Sequence, residues 1–203
     1  MHEISDTQSA YTRIAAAYAA ATADRGPVAR QMRRFCAWLP PGGLVLDAGC
    51  GPGYDSLALA QGGLRPVGVD LSWQMLHAGR QLGHATPLMQ ADFRHLPLAA
   101  ETAVGIWACA SLLHVPRALL PAVLREFGRV LQPDGLLYLS VKLGADESWA
   151  ETAYGQPARR FFVYWQPAAL DPLLAAAGFR RVDGWQEPTA DPAWLVRFAR
   201  KTG

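Results

Sequence analysis

Three glycines alternate at Gly49, Gly51 and Gly53, inside the stretch LVLDAGCGPGYDSLALA over residues 44–60. One acid, Asp47, stands just ahead of them, and a second, Asp70, follows roughly 20 residues on. Glycine has no Cβ and tolerates positive φ, so a ligand can lie directly against backbone N–H groups. An acid after the next strand is placed to accept from ribose hydroxyls. Together these residues describe a site for a nucleotide-like ligand. A plain βα turn would also use glycines, but it would not need the two acids. A dinucleotide fingerprint would place a small residue where Tyr54 stands, and no phosphate loop ending in Gly-Lys-Ser/Thr is present.

Reactive side chains stand further along. His114 follows a strand-like run and can take a proton or orient an acceptor. Lys142 ends another such run and can orient an anion. The plainer alternatives are a satisfied loop histidine and an exposed lysine at the sheet rim. Tyr11 and Tyr18 near the start, and Phe161, Phe162, Tyr164 and Trp165 later, offer aromatic faces for a cation or for excluding water. They can equally form a small satellite core. His2, His77, His84 and His95 are scattered without ligand spacing, and no metal site is expected.

The elements that must position these residues alternate. Strands are expected over residues 44–48, 65–70, 87–90, 104–110 and 136–142. Helices are expected over 54–61, after Ser72, and over 117–131 and 166–177. Residues 179–185 and 194–201 read as a closing antiparallel pair. Such alternation predicts a single domain with a doubly wound α/β sheet, whose ligands bind outside the carboxyl ends of the strands. Residues 1–40, with helices over 7–22 and 27–39, read as a helical cap. Residues 144–165 read as one long irregular insertion.

Bulk properties agree with this. The chain has 203 residues, 51% of them hydrophobic, and a net charge of +2, which gives no strong pull toward nucleic acid or anionic membranes. Cys36, Cys50 and Cys109 are widely spaced, as expected of free thiols in a reducing compartment. The polar start MHEISDTQSA does not resemble a signal peptide, so a cytoplasmic location is expected.

Taken in order, VLDAGCGPG, GVDLS over 68–72 and ADF over 91–93 resemble the class I S-adenosylmethionine-dependent methyltransferase family. The resemblance spans about residues 44–142. YTRIAAAYAAATAD, WACASLLHVPR and RRFFVYWQPAALDPLLAAAGF extend it toward small bacterial members acting on small molecules. It implies a mostly parallel seven-stranded, Rossmann-like sheet with an antiparallel last strand, and S-adenosylmethionine as cofactor. Asp47, Gly49, Gly51 and Gly53 would wrap its methionyl part and Asp70 its ribose. Leu71, Met75, Asp92 and Phe93 would hold the adenine, with Ala108 and Tyr11 near the methionyl end. Tyr18, Ser111, Phe162 and Tyr164 would border the acceptor, with His114 and Lys142 as catalytic candidates. A small-molecule acceptor is implied, since the NPPY-type motif of base methylation is absent after the fourth strand. The alternatives are a non-catalytic S-adenosylmethionine-binding module and an NAD-dependent oxidoreductase. Tyr54 speaks against the second.

Overall fold

Leucine- and valine-rich runs too short to be helices form the strands, and their apolar residues face both ways because helices cover both faces of the sheet. The structure, a computed structural model, describes residues 2–187 and 193–203. Leu44–Ala48 (β1), Arg65–Asp70 (β2), Leu88–Gln90 (β3), Ala103–Cys109 (β4) and Leu131–Lys142 (β5) run parallel. Phe179–Glu187 (β8) and Trp194–Lys201 (β9) complete the sheet, with β9 antiparallel to both β5 and β8. The order is β3-β2-β1-β4-β5-β9-β8, the seven-stranded arrangement expected. Strand order reverses between β1 and β4, and the crevice at their carboxyl ends is where this architecture binds ligands.

Alternate residues of each strand fill two cores. Leu46, Ile106, Leu137 and Ala199 face one side and pack with Leu124 and Phe127 of Leu120–Val130 (α5). Val45, Trp107, Tyr138 and Phe198 face the other and receive Met32 and Phe35 of Ala29–Ala37 (α2). Trp107 and Tyr138 stack with ring centroids 3.8 Å apart. Helix α2 is therefore a layer of the sheet, and only His2–Ala21 (α1) acts as a cap. Tyr54–Gln61 (α3), Trp73–Gln81 (α4) and Pro167–Ala176 (α6) complete the helices. Ser72 caps α4 as expected, accepting from Met75 N, and Gly178 follows α6 at φ +82°. Among the described residues no helix is long and apolar enough to cross a membrane.

The stretch expected to be irregular is instead a hairpin of Glu147–Ala153 (β6) and Gln156–Val163 (β7). Its two-residue turn, Tyr154-Gly155, has φ of 51° and 72°. Two positive φ values match the twist of paired strands, and tyrosine hides a turn usually marked by Asn or Asp. Helix α1 lies between this hairpin and α4. Gln8 Nε2 donates to the Leu71 carbonyl, while Phe161 N donates to Thr7 Oγ1.

Candidate active site

The three glycines serve different purposes. All have positive φ: +78° at Gly49, +53° at Gly51 and +87° at Gly53. A Cβ on Gly49 would lie 2.3 Å from Ser111 Cβ, so packing alone demands glycine there. A Cβ on Gly51 would meet only a Tyr18 ring carbon at 3.5 Å, on the open side of the loop. Gly53 is the N-cap of α3 and backs onto Leu88.

Asp70, at the end of β2, is fastened to this loop. One carboxylate oxygen accepts from Gly51 N at 3.0 Å and the other from Ser72 N at 2.8 Å. Burial raises its pKa against these amides. The carboxylate borders an open cavity over the carboxyl ends of the strands. Tyr11, Tyr18, Gly49, Gly51, Asp70, Leu71, Met75, Asp92, Phe93, Ser111 and His114 all line it, which unites most of the residues singled out by sequence. One end is apolar, formed by Met75, Phe93, Val115, Leu119 and Val123. Asp92 borders that end paired with Arg94, 2.6 Å away, and the hydrogen bonds from Arg94 lower its pKa.

Six expected residues lie outside the cavity wall. Asp47 is 2% exposed and accepts from Ser56 Oγ at 2.6 Å, which ties β1 to α3 from beneath the loop. Burial, reinforced by the charge of Asp55, raises its pKa. Gly53 is occupied with capping. Ala108 is wholly buried within β4, and its successors Cys109 and Ala110 form the wall. Lys142 Nζ sits 3.6 Å from the centre of the Phe162 ring and 5.4 Å from that of Tyr164. These three side chains pack on one another, because the hairpin turns its aromatics down onto the end of β5.

His114 is held at both nitrogens. Nδ1 lies 2.6 Å from the Phe161 carbonyl, which can only accept, so Nδ1 carries the hydrogen. Nε2 then accepts from the Tyr11 hydroxyl at 2.8 Å. Burial pushes the imidazole pKa down to about 4, and burial pushes that of Tyr11 up to about 12. In this arrangement the neutral ring ties α1 to the hairpin and has no nitrogen free to act as a base.

A second open cavity shares Tyr18, Gly49, Cys109 and Ala110 with the first. Sequence reasoning missed its central feature. Arg25 donates from Nε and Nη2 to the two oxygens of Asp55, at 2.7 and 2.6 Å, and Trp107 Nε1 adds a third bond to Asp55. The partners are far apart in the chain, and no local pattern marks them. Gln8 and Thr7, on the first turns of α1, were also missed. Among the described residues no group of three or more His, Cys, Asp or Glu side chains is placed to hold a metal ion.

Comparison with known proteins agrees with this geometry. A family model described as a methyltransferase domain matches residues 45–135. A malonyl-[acyl-carrier protein] O-methyltransferase of Serratia marcescens is 36% identical over 65% of this chain and 51% of its own length. A trans-aconitate 2-methyltransferase of Azoarcus sp. (strain BH72) is 33% identical over 78% of this chain and 67% of its own. The chain thus spans about half the length of the first of these relatives. In fold it is similar to a Burkholderia thailandensis 1,6-didemethyltoxoflavin-N1-methyltransferase solved with S-adenosylhomocysteine. The TM-score is 0.79 at 23% identity, with 98% of this chain and 89% of that one covered. The chain belongs to the class I methyltransferase family.

Proposed function

We propose that this protein transfers the methyl group of S-adenosylmethionine to a small-molecule acceptor. The observation that carries the reading is Asp70, each of whose oxygens holds one backbone amide at the open side of the glycine loop. The remaining lone pairs of that carboxylate would accept from the two hydroxyls of a vicinal diol. The donor set fits the rest of the cofactor. Leu71, Met75 and Phe93 form an apolar slot for adenine, and the cavity-facing side of Gly51 leaves room that a side chain would fill. Ser111 Oγ, buried and without a partner among the described residues, is a polar group toward the methionyl end.

When bound, S-adenosylmethionine supplies a methyl group on a sulfonium, which departs as a neutral thioether when an acceptor lone pair attacks in line. The chain's task is chiefly to position and to exclude water. Tyr11 and Tyr18 meet edge to face with centroids 5.6 Å apart and close the side of the cavity formed by α1. Burial raises both phenol pKa values, so they stay neutral there. His114 holds Tyr11 in place through Nε2 and the hairpin through Nδ1. Lys142, Phe162 and Tyr164 support this cover from behind. The free cysteines suit a cytoplasmic protein.

The test has two parts. Calorimetric titration with S-adenosylhomocysteine should show binding, and no binding at millimolar ligand defeats the reading. A metabolite extract incubated with methyl-labelled S-adenosylmethionine should yield a labelled small molecule. Label confined to the cofactor pool, with intact cofactor binding, would favour a non-catalytic binding module.

A further inference from the structure

The chemistry of the second cavity is set by few groups. Arg25 is the one cation among the described residues that line it, and its guanidinium is engaged bidentately by Asp55. With Trp107 Nε1 also on Asp55, that pair is complete and offers little to an incoming acid. Across the cavity stands Glu187. Its Oε1 accepts from Gln31 Nε2 at 3.3 Å and from Trp185 Nε1 at 2.8 Å. Among the described residues the lining therefore carries one more carboxylate than cation.

Two further groups lack a hydrogen-bond partner, and the first of them can only accept. Gln31 is 4% exposed, and its Oε1 has no hydrogen-bond partner among the described residues. Tyr138 is fully buried, and its hydroxyl likewise has none. A buried amide carbonyl left unpaired is a standing cost that a donor removes. Around these polar groups lie the rings of Tyr18, Tyr54 and Trp194, faces suited to a cation. The cavity joins the first one at Tyr18, Gly49, Cys109 and Ala110, beside the end of β4.

We infer that this second cavity holds the methyl acceptor, and that the acceptor is an amine, bound through N–H donors to Gln31 Oε1 and the Glu187 carboxylate. In the transfer the neutral amine's lone pair would bond the methyl carbon as the C–S bond breaks with its electrons left on sulfur, and Glu187 would face the N–H of the methylammonium so formed. The inference rests on the methyltransferase reading above. It sets this chain apart from the relatives named for malonyl and trans-aconitate acceptors, which are acids. A carboxylate here would face Glu187 with the Arg25 charge already neutralised.

The experiment uses the whole protein saturated with S-adenosylhomocysteine, titrated with benzylamine and with benzoate, probes of matched size and opposite charge. Benzylamine should bind at least about tenfold more tightly, and it should shift the Trp194 indole resonance in nuclear magnetic resonance spectra. In Glu187→Gln the amine preference should fall about ten- to hundredfold, the range for a lost charged hydrogen bond, with S-adenosylhomocysteine affinity within about twofold of the parent. Benzoate binding as tightly as benzylamine, neither probe reaching Trp194, or an unchanged preference in Glu187→Gln would each overturn the inference. So would cofactor affinity falling in step with amine affinity in that variant, since the cavity would then belong to the cofactor. Absence of S-adenosylhomocysteine binding by the parent would overturn the methyltransferase reading as well. If Glu187→Gln does not fold, the Trp194 shift and the amine-to-benzoate ratio in the parent decide the matter alone.

Discussion

Gly49 and Gly51 look equivalent in the sequence, yet replacing each with alanine should do opposite things. At Gly49 the new Cβ would stand 2.3 Å from Ser111 Cβ, at a φ of +78°. The backbone conformation costs about 1–2 kcal/mol for a residue with a Cβ. Overpacking against a buried segment adds about 1–3 kcal/mol, because Ser111 opens a short 3-10 turn and cannot rotate aside. Gly49→Ala should therefore lose about 2–5 kcal/mol of stability, which lowers Tm by roughly 10 °C in a domain of this size. At Gly51 the φ of +53° carries only the backbone cost of about 1–2 kcal/mol, since the Tyr18 ring at 3.5 Å is in ordinary contact. Its methyl group, however, enters the cavity beside Asp70. Gly51→Ala should stay folded with Tm within about 5 °C of the parent, yet bind S-adenosylhomocysteine about a hundredfold more weakly, as expected when a methyl group overlaps ligand space. Differential scanning fluorimetry and calorimetric titration read the two effects separately. If Gly51→Ala keeps its affinity within about threefold, the ligand does not approach this face. If Gly49→Ala melts with the parent, the contact with Ser111 is wrong.

Asp70→Asn should bind S-adenosylhomocysteine about ten- to hundredfold more weakly by calorimetry. Each oxygen of Asp70 accepts one amide, so either orientation of the asparagine amide turns a donor toward a donor. Parental affinity would remove Asp70 from the ribose site. Arg25→Ala should cost about 3 kcal/mol in urea unfolding, because it strands the nearly buried Asp55 carboxylate, and adding Asp55→Ala should recover part of the loss. His114 is held at a pKa of about 4, below its ordinary 6.5, so its unfolded form binds the extra proton between those values. Its contribution is thus complete above pH 6.5 and is lost as pH falls toward 4, by at most about 3 kcal/mol. His114→Gln should flatten the fall in Tm over that window relative to the parent, and parallel curves would refute the assignment.

What could be read from the sequence, and what could not, divides along a physical line. The glycine loop, Asp70 and the cavity-lining residues Leu71, Met75 and Phe93 were legible because strand ends and the turns after them are local. A short apolar run, a Cβ-free turn and a helix start determine where the backbone goes, and the residues that line the cavity follow within a few positions. Asp47 was legible as important but not in its task, since one acid facing the loop and one buried beneath it look alike in a string of letters. Ser56 Oγ, nine positions on, decides which it is. The hairpin over β6 and β7 escaped because its outer strand shows only a weak alternation and Tyr154 hides its turn. His114 was found for its chemistry, but its two partners, Tyr11 and the Phe161 carbonyl, come from opposite ends of the chain and take up both nitrogens. Arg25 and Asp55, and Gln31 and Glu187, are likewise pairs made only by folding. The side of the site we assign to the cofactor is thus encoded locally, whereas the side we assign to the acceptor is assembled from α2, α3 and the far strands. In a fold whose local loop is shared by enzymes acting on quite different acceptors, this assignment puts specificity in those long-range pairs. A change of acceptor therefore needs no change in the glycine loop, only a different partner for Arg25 or a different residue opposite Gln31.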